Sequence, residues 1–137
     1  MPTTQVTKEI NAPAERLYQI MKEREKNPIW NITVNDVNII SEKKASYKTT
    51  VGDLTLMLTE DIKNEKIAYD VEGNPLMTKM IYSFKPKGDK SEATLAGEFP
   101  LEDQEKILLT AADVLLESLK KYAEYLQEGG DPSEYEK

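Results

Sequence analysis

The side chains on which this sequence could build chemistry are tyrosines, one tryptophan and carboxylates: it has seven Tyr, one Trp and 25 Asp and Glu, with no His and no Cys. Lacking thiol and imidazole, it has no disulfide, no thiolate or histidine metal ligand, and no Ser-His or Cys-His nucleophile. A general base would have to be a carboxylate, a lysine or a phenol. Glu60, Asp61 and Asp70 fall toward strand ends or on the wet side of the pattern, so setting two carboxylates over one substrate would require a bulge. Lys8 and Lys79 are expected to point to solvent. Asp53, Glu60, Asp61 and Asn64 lack the spacing of a calcium loop, and the glycines are scattered apart from Gly129-Gly130, which leaves no phosphate-binding loop. No catalytic residue, metal site or cofactor is therefore expected. Tyr69, Tyr82 and Trp30 carry more interest, because a buried phenol or indole N–H must find a partner and can orient a bound molecule. Asn31-Ile32-Thr33 matches the glycosylation sequon by chance.

Charge narrows the partners. Eighteen Lys and Arg against 25 Asp and Glu give a net charge of −7, and Lys43-Lys44 and Lys120-Lys121 are the only adjacent basic pairs. No basic face is in prospect for nucleic acid or an anionic membrane surface. No apolar run approaches the ~18 residues of a membrane span. Met1-Pro2-Thr3-Thr4-Gln5 lacks the basic and then apolar stretches of a secretory signal, so the cytoplasm is the expected compartment. At 137 residues the chain has room for one domain, expected over 1–128, with 129–137 as a flexible acidic tail.

The elements that must position these groups follow from hydrophobic period. Thr3 to Ile10 alternates as a half-buried strand near an end of a sheet. Pro13 fits the first position of a helix that runs to about Glu25, with Leu17, Ile20 and Met21 at helical spacing. Asn27-Pro28 stops it, and a short helix or turn carries Trp30. Period two then predicts strands near 32–42, 45–51, 54–62, 67–72, 77–85 and 91–99, joined by short links and hence an antiparallel meander. Leu54, Leu56 and Leu58, then Ile67, Tyr69 and Val71, then Met80, Tyr82 and Phe84, then Ala93, Leu95, Gly97 and Phe99 are expected on the dry side. Met57 and Met77 have the wrong parity. Asp103 is expected as the N-cap of a long helix from about Gln104 to Glu128. Its apolar stripe is Leu108, Ala112, Leu115, Leu119, Tyr122 and Leu126, with Ile107, Ala111 and Val114 widening it, and Gly129-Gly130 stop it.

The opening Val6-Thr7-Lys8-Glu9-Ile10-Asn11-Ala12-Pro13-Ala14-Glu15-Arg16-Leu17-Tyr18-Gln19-Ile20-Met21 resembles that of the START-like (SRPBCC) superfamily, in particular its polyketide cyclase/dehydrase-like branch. The Pro/Trp segment Asn27-Pro28-Ile29-Trp30-Asn31 and the small residues Thr110-Ala111-Ala112 in the closing helix are similar too. The resemblance covers about residues 3 to 128 and implies an α+β helix-grip fold: a curved seven-stranded antiparallel sheet wrapped around a long C-terminal helix. It also implies a cavity between them, used in that superfamily for lipids, sterols, polyketides, plant hormones or quinones.

Candidates to line such a cavity are Trp30, Tyr47, Leu56, Tyr69, Met80, Tyr82, Ala112, Leu115 and Tyr122. Ala111 and Ala112 leave space where larger residues would fill the concavity. Three functions remain open. Binding or transport of a hydrophobic small molecule (lipid, polyketide or isoprenoid-like) asks only for an apolar cavity with a few polar anchors. A protein-interaction module resembling the Hsp90-ATPase-activator branch would use the sheet exterior or the helix ends. A polyketide cyclase or aromatase would need an acid or base facing the cavity, and the dry faces offer almost none beyond tyrosine. A homodimer is compatible with all three, with Met57, Thr55 and Thr59 offering a patch.

Overall fold

Alternating apolar and polar positions carry much of the chain as strand, and the reversals at Asn64, Gly73 and Gly88 fall where glycine or asparagine takes a positive φ. A computed structural model describes residues 3–50, 52–74, 76–100 and 102–137. Within them β1 (Thr3–Ile10) is followed by α1 (Ala14–Lys22), a 3₁₀ turn at Arg24–Lys26 and the short α2 (Asn27–Trp30). Then come β2 (Val34–Ile39), β3 (Lys44–Thr49), β4 (Gly52–Ile62), β5 (Lys66–Glu72), β6 (Lys79–Lys87) and β7 (Lys90–Glu98), before α3 (Glu105–Gln127). All the strands join one antiparallel sheet in the order β1-β7-β6-β5-β4-β3-β2. Only β1 pairs out of sequence, setting Val6 opposite Leu95 of the last strand. Gly88, at φ 65°, supplies the positive φ that the two-residue link between β6 and β7 requires.

Register shifts in β2, between Val34 and Asp36, and in β4, between Leu58 and Glu60, mark irregularities of the kind that bend a sheet. The concave face buries Tyr47, Leu54, Leu56, Ile67, Tyr69, Met80, Tyr82, Phe84, Ala93 and Leu95, as their parity predicted. α3 packs chiefly against β1 and secondarily against β7, α1 sits over β6 and β7, and α2 packs on β2. The closing helix thus hugs one end of the sheet. Strands β3 to β6 have no such close approach from it. The link from β1 into α1 is tied down at both ends: Ser91 Oγ donates to the Ala12 carbonyl at 2.7 Å, and the Asn11 N–H donates to the Glu124 carboxylate at 2.9 Å. Ala12 and Ala14 are small because they are buried in that seam.

Several local expectations are corrected. Pro13 is the N-cap of α1, and the helix ends at Lys22, ahead of Glu25, where the chain tightens into the 3₁₀ turn. β2 begins at Val34, since Asn31 to Thr33 are held in a loop by side-chain hydrogen bonds. Asp103 does not cap α3; it lies in a 3₁₀ turn, Glu102–Gln104, and Gln104 takes the cap position without a side-chain bond. Ile107 and Val114 face solvent, 51% and 38% exposed, while Leu116, Ser118 and Ala123 are buried instead. The cause is the seating of α3 on β1, which turns the helix toward Leu116 and Leu119. Lys8 does not point away: it shares the helix-facing parity of Ile10 and pairs with Asp113 at 3.1 Å and Glu117 at 2.9 Å. The Glu117 hydrogen bond raises its pKa against the opposing effect of burial.

The residues after α3 make contacts of their own. Gly129, at φ 92°, ends the helix as predicted, with its N–H bonded to the Leu126 carbonyl and that of Gly130 to the Tyr125 carbonyl. The segment expected as a flexible tail then lies folded back along α3. Tyr125 donates its hydroxyl to the Asp131 carbonyl at 2.8 Å, and Lys137 reaches the carbonyls of Asn31 and Val34 at 3.3 and 2.8 Å.

Candidate ligand cavity between the sheet and the helices

Because α3 is seated on β1 and β7, the middle of the concave face is left facing a gap. That gap is a cavity of about 90 Å³. Its floor is Tyr47, Leu54, Leu56, Tyr69, Met80, Tyr82 and Leu95, and its roof is Leu108, Ala111, Ala112 and Leu115 of α3 with Met21 of α1. Lining residues that keep some exposure are Thr4, Thr49, Ala96, Gly97 and Ala111, so among the described residues the more open end faces the first half of α3.

Three phenols enter this apolar space. Tyr47, Tyr69 and Tyr82 are 5%, 3% and 3% exposed, and among the described residues none of their hydroxyls is hydrogen-bonded to protein. Tyr69 and Tyr82 meet edge to face, ring centroids 6.3 Å apart. Burial raises the pKa of Tyr47 to about 12 and lifts those of Tyr69 and Tyr82 further, with Tyr47 adding to the rise at both and Tyr69 to that at Tyr82. All three are neutral hydrogen-bonding groups at physiological pH and cannot serve as bases there.

A carboxamide completes the polar set. Asn31 Oδ1 accepts from both the N–H and the hydroxyl of Thr33, at 3.0 and 2.6 Å, which fixes the orientation of its amide. Its Nδ2 therefore donates, and Asn27 Oδ1 accepts at 3.1 Å. The Asn27 NH₂ is thereby turned out as a free donor; Asn27 is 6% exposed and lines the cavity. The sequon asparagine proves to be this buried Asn31, 2% exposed and engaged.

Seven of the nine predicted lining residues come together here: Tyr47, Leu56, Tyr69, Met80, Tyr82, Ala112 and Leu115. Trp30 and Tyr122 do not. They stack on each other at 6.2 Å, 9° from parallel, and border a separate groove between α1 and the far end of α3. The Trp30 indole N–H is buried with no partner. Met77, set aside on parity, lines the cavity and is 7% exposed; it precedes β6, so strand parity does not govern it. Asn27, Asn31 and Thr33 were missed, since in sequence they read as a helix stop. The available signal was the pair of asparagines four apart around Pro28 and Trp30.

The β4 bulge does exist, but it delivers one carboxylate and not two. Past it Asp61 lies opposite Ile67 and turns toward α1, where Tyr18 and Lys22 hold its two oxygens. Burial would push the Asp61 pKa up, but those two hydrogen bonds hold it below the usual value. Glu60 pairs with Lys66 elsewhere. Among the described residues no carboxylate or amine lines the cavity, and no three potential ligands converge on a cation position. No described helix is long and apolar enough to cross a membrane.

No family model matches this chain, and no curated protein matches it by sequence. Solved structures match its shape. A START superfamily protein from Mycobacterium smegmatis superposes with a TM-score of 0.80 at 19% identity, covering 90% of this chain and 98% of that one. The Zhui aromatase/cyclase from a Streptomyces species gives 0.75 at 14%, covering 95% and 99%. An Aha1 dimer from Colwellia psychrerythraea gives 0.73 at 17%, covering 90% and 97%. The sheet order, the closing helix and these superpositions together identify the architecture: the chain has the START-like (SRPBCC) helix-grip fold.

Proposed function

We propose that this protein binds a hydrophobic small molecule in the cavity between the sheet and α3. The observation that carries the reading is the coincidence of an apolar cavity with polar groups on otherwise buried residues, for which the described residues supply no partner. Apolar walls supply affinity by excluding water, and a few fixed donors supply orientation, which is how small-molecule sites are usually built. Tyr47, Tyr69 and Tyr82 make no hydrogen bond among the described residues, yet their hydroxyls are not among the atoms sealed from water, so a molecule that fills the cavity must supply their partner or leave them stranded. Binding is favoured over catalysis because, among the described residues, no carboxylate or amine reaches the cavity, and the phenols are held neutral. The test is a ligand-observed NMR screen of uncharged apolar molecules, from single rings to acyl chains, against wild type and Ala112→Phe. Binding to wild type that disappears in the variant supports the reading. Absence of any such ligand, or binding that the variant leaves intact, refutes it.

A further inference from the structure

The cavity's polar atoms restrict what it can hold, and the restriction deepens the reading above, on which it rests. The lining offers hydroxyls from Tyr47, Tyr69 and Tyr82 and the free NH₂ of Asn27, with no cationic or anionic side chain among the described lining residues. Each of these four residues is more than nine-tenths buried. Bringing a carboxylate or phosphate into such surroundings would sacrifice its hydration without a counter-charge, a penalty that hydrogen bonds from neutral groups do not cover. A wholly apolar ligand would strand the four groups. What suits them is an oxygen that accepts hydrogen bonds and carries no charge. The Asn27 orientation sharpens this, since its amide oxygen is consumed by Asn31 and only its donor side is on offer. Size sets a second limit: about 90 Å³ is less than the ~150 Å³ of an engineered cavity that admits benzene. That leaves no room for a second fused ring, and a single ring enters only with part of it toward the open end.

We infer that the ligand is an uncharged single-ring molecule bearing a carbonyl or similar acceptor oxygen, held by the Tyr47, Tyr69 and Tyr82 hydroxyls and the Asn27 amide. Fatty acids, phospholipids and fused multi-ring ketides fall outside that class. The probes are acetophenone, its apolar isostere ethylbenzene, the anion benzoate and the two-ring 2-acetylnaphthalene, titrated by ligand-observed NMR. Acetophenone is expected to bind at least about 3–10-fold tighter than ethylbenzene, the worth of one net hydrogen bond. Benzoate and 2-acetylnaphthalene are expected to bind more weakly than acetophenone. Tyr69→Phe and Tyr82→Phe keep the rings and remove hydroxyls that make no protein bond, so the fold should persist. In them acetophenone should lose about 3–10-fold while ethylbenzene is unchanged. Equal binding of acetophenone and ethylbenzene overturns the acceptor requirement, tighter benzoate overturns neutrality, and tighter 2-acetylnaphthalene overturns the size limit. In each of those cases the cavity still binds and the proposed function survives. If none of the four binds while larger apolar molecules do, the single-ring inference fails alone; if nothing apolar binds at all, both fall.

Discussion

Tyr135 sets its ring against Tyr122, centroids 4.9 Å apart and planes 65° from parallel. Tyr122 in turn lies flat against Trp30, and Tyr135 also touches Tyr125 at 4.9 Å. A residue three from the end of an acidic segment thus extends an aromatic stack begun by the buried tryptophan. Aromatic pairs contribute about 0.5–1.5 kcal/mol beyond area burial. Tyr135→Ala should therefore cost about 1–2 kcal/mol, and deletion of 131–137 at least as much, in urea melts followed by Trp30 fluorescence. A change below about 0.3 kcal/mol would show that the segment contributes nothing to the fold.

Ala112 tests the cavity from the helix side. It is 9% exposed and lines the roof. In a close-packed core Ala112→Phe would force in volume at a cost of about 1–3 kcal/mol. Here the ring enters space that is already open, so the melting temperature should stay within a few degrees of wild type while small-molecule binding is lost. Strong destabilisation would mean that α3 has no room above it.

Alkaline stability follows from the phenols. Tyr47 is raised to about 12 by burial, and Tyr69 and Tyr82 lie higher, whereas an unfolded tyrosine ionises near 10. From about pH 10 upward the folded state holds protons that the unfolded state releases, so stability falls as pH rises. Each of the three contributes a slope of about 1.4 kcal/mol per pH unit across that window. Phenolate absorbance and circular dichroism should change together in one cooperative step, and Tyr82→Phe should reduce the slope by one proton. Smooth ionisation of every tyrosine near pH 10 without unfolding would contradict the burial argument.

The Tyr18–Asp61–Lys22 cluster makes the opposite prediction at low pH. The Asp61 pKa is held below its ordinary 3.8 in the folded state, burial being outweighed by the hydrogen bonds from Lys22 and Tyr18. Its stabilisation is present above the unfolded value and is lost as pH falls through the folded one. Asp61→Asn should therefore be less stable than wild type by a constant amount, below about 1 kcal/mol for so accessible a pair, from pH 5 to 8. The two proteins should converge as pH falls below 3.8 and through the folded value. A difference that persists at pH 2 would point to packing and not charge.

Much of the site was readable as parity. Tyr47, Leu56, Tyr69, Met80 and Tyr82 occupy the face their alternation assigned, because a pleated strand fixes which way each side chain points. Ala112 and Leu115 followed from helical period in the same way. Parity failed where the chain leaves the pleat. Met77 precedes β6, and Asp61 lies beyond a bulge that reverses the alternation. Asn27 and Asn31 read as a helix stop because their value lies in a chain of hydrogen bonds that no period reveals.

By itself the sequence determined the order of elements, the dry face of the sheet, the end of α3 at Gly129, and a chemistry without thiol or imidazole. These are consequences of composition and of contacts between near neighbours in the chain, where side-chain direction repeats with the backbone. Tertiary structure alone decided the seating of α3 on β1 and β7, which exposes Ile107 and Val114 and leaves the cavity beside Ala112. It alone separated Trp30 and Tyr122 from the cavity tyrosines and folded Tyr135 back onto them. Those outcomes depend on how rigid elements distant in sequence share one interior, a competition of packing surfaces that hydrophobic period cannot rank.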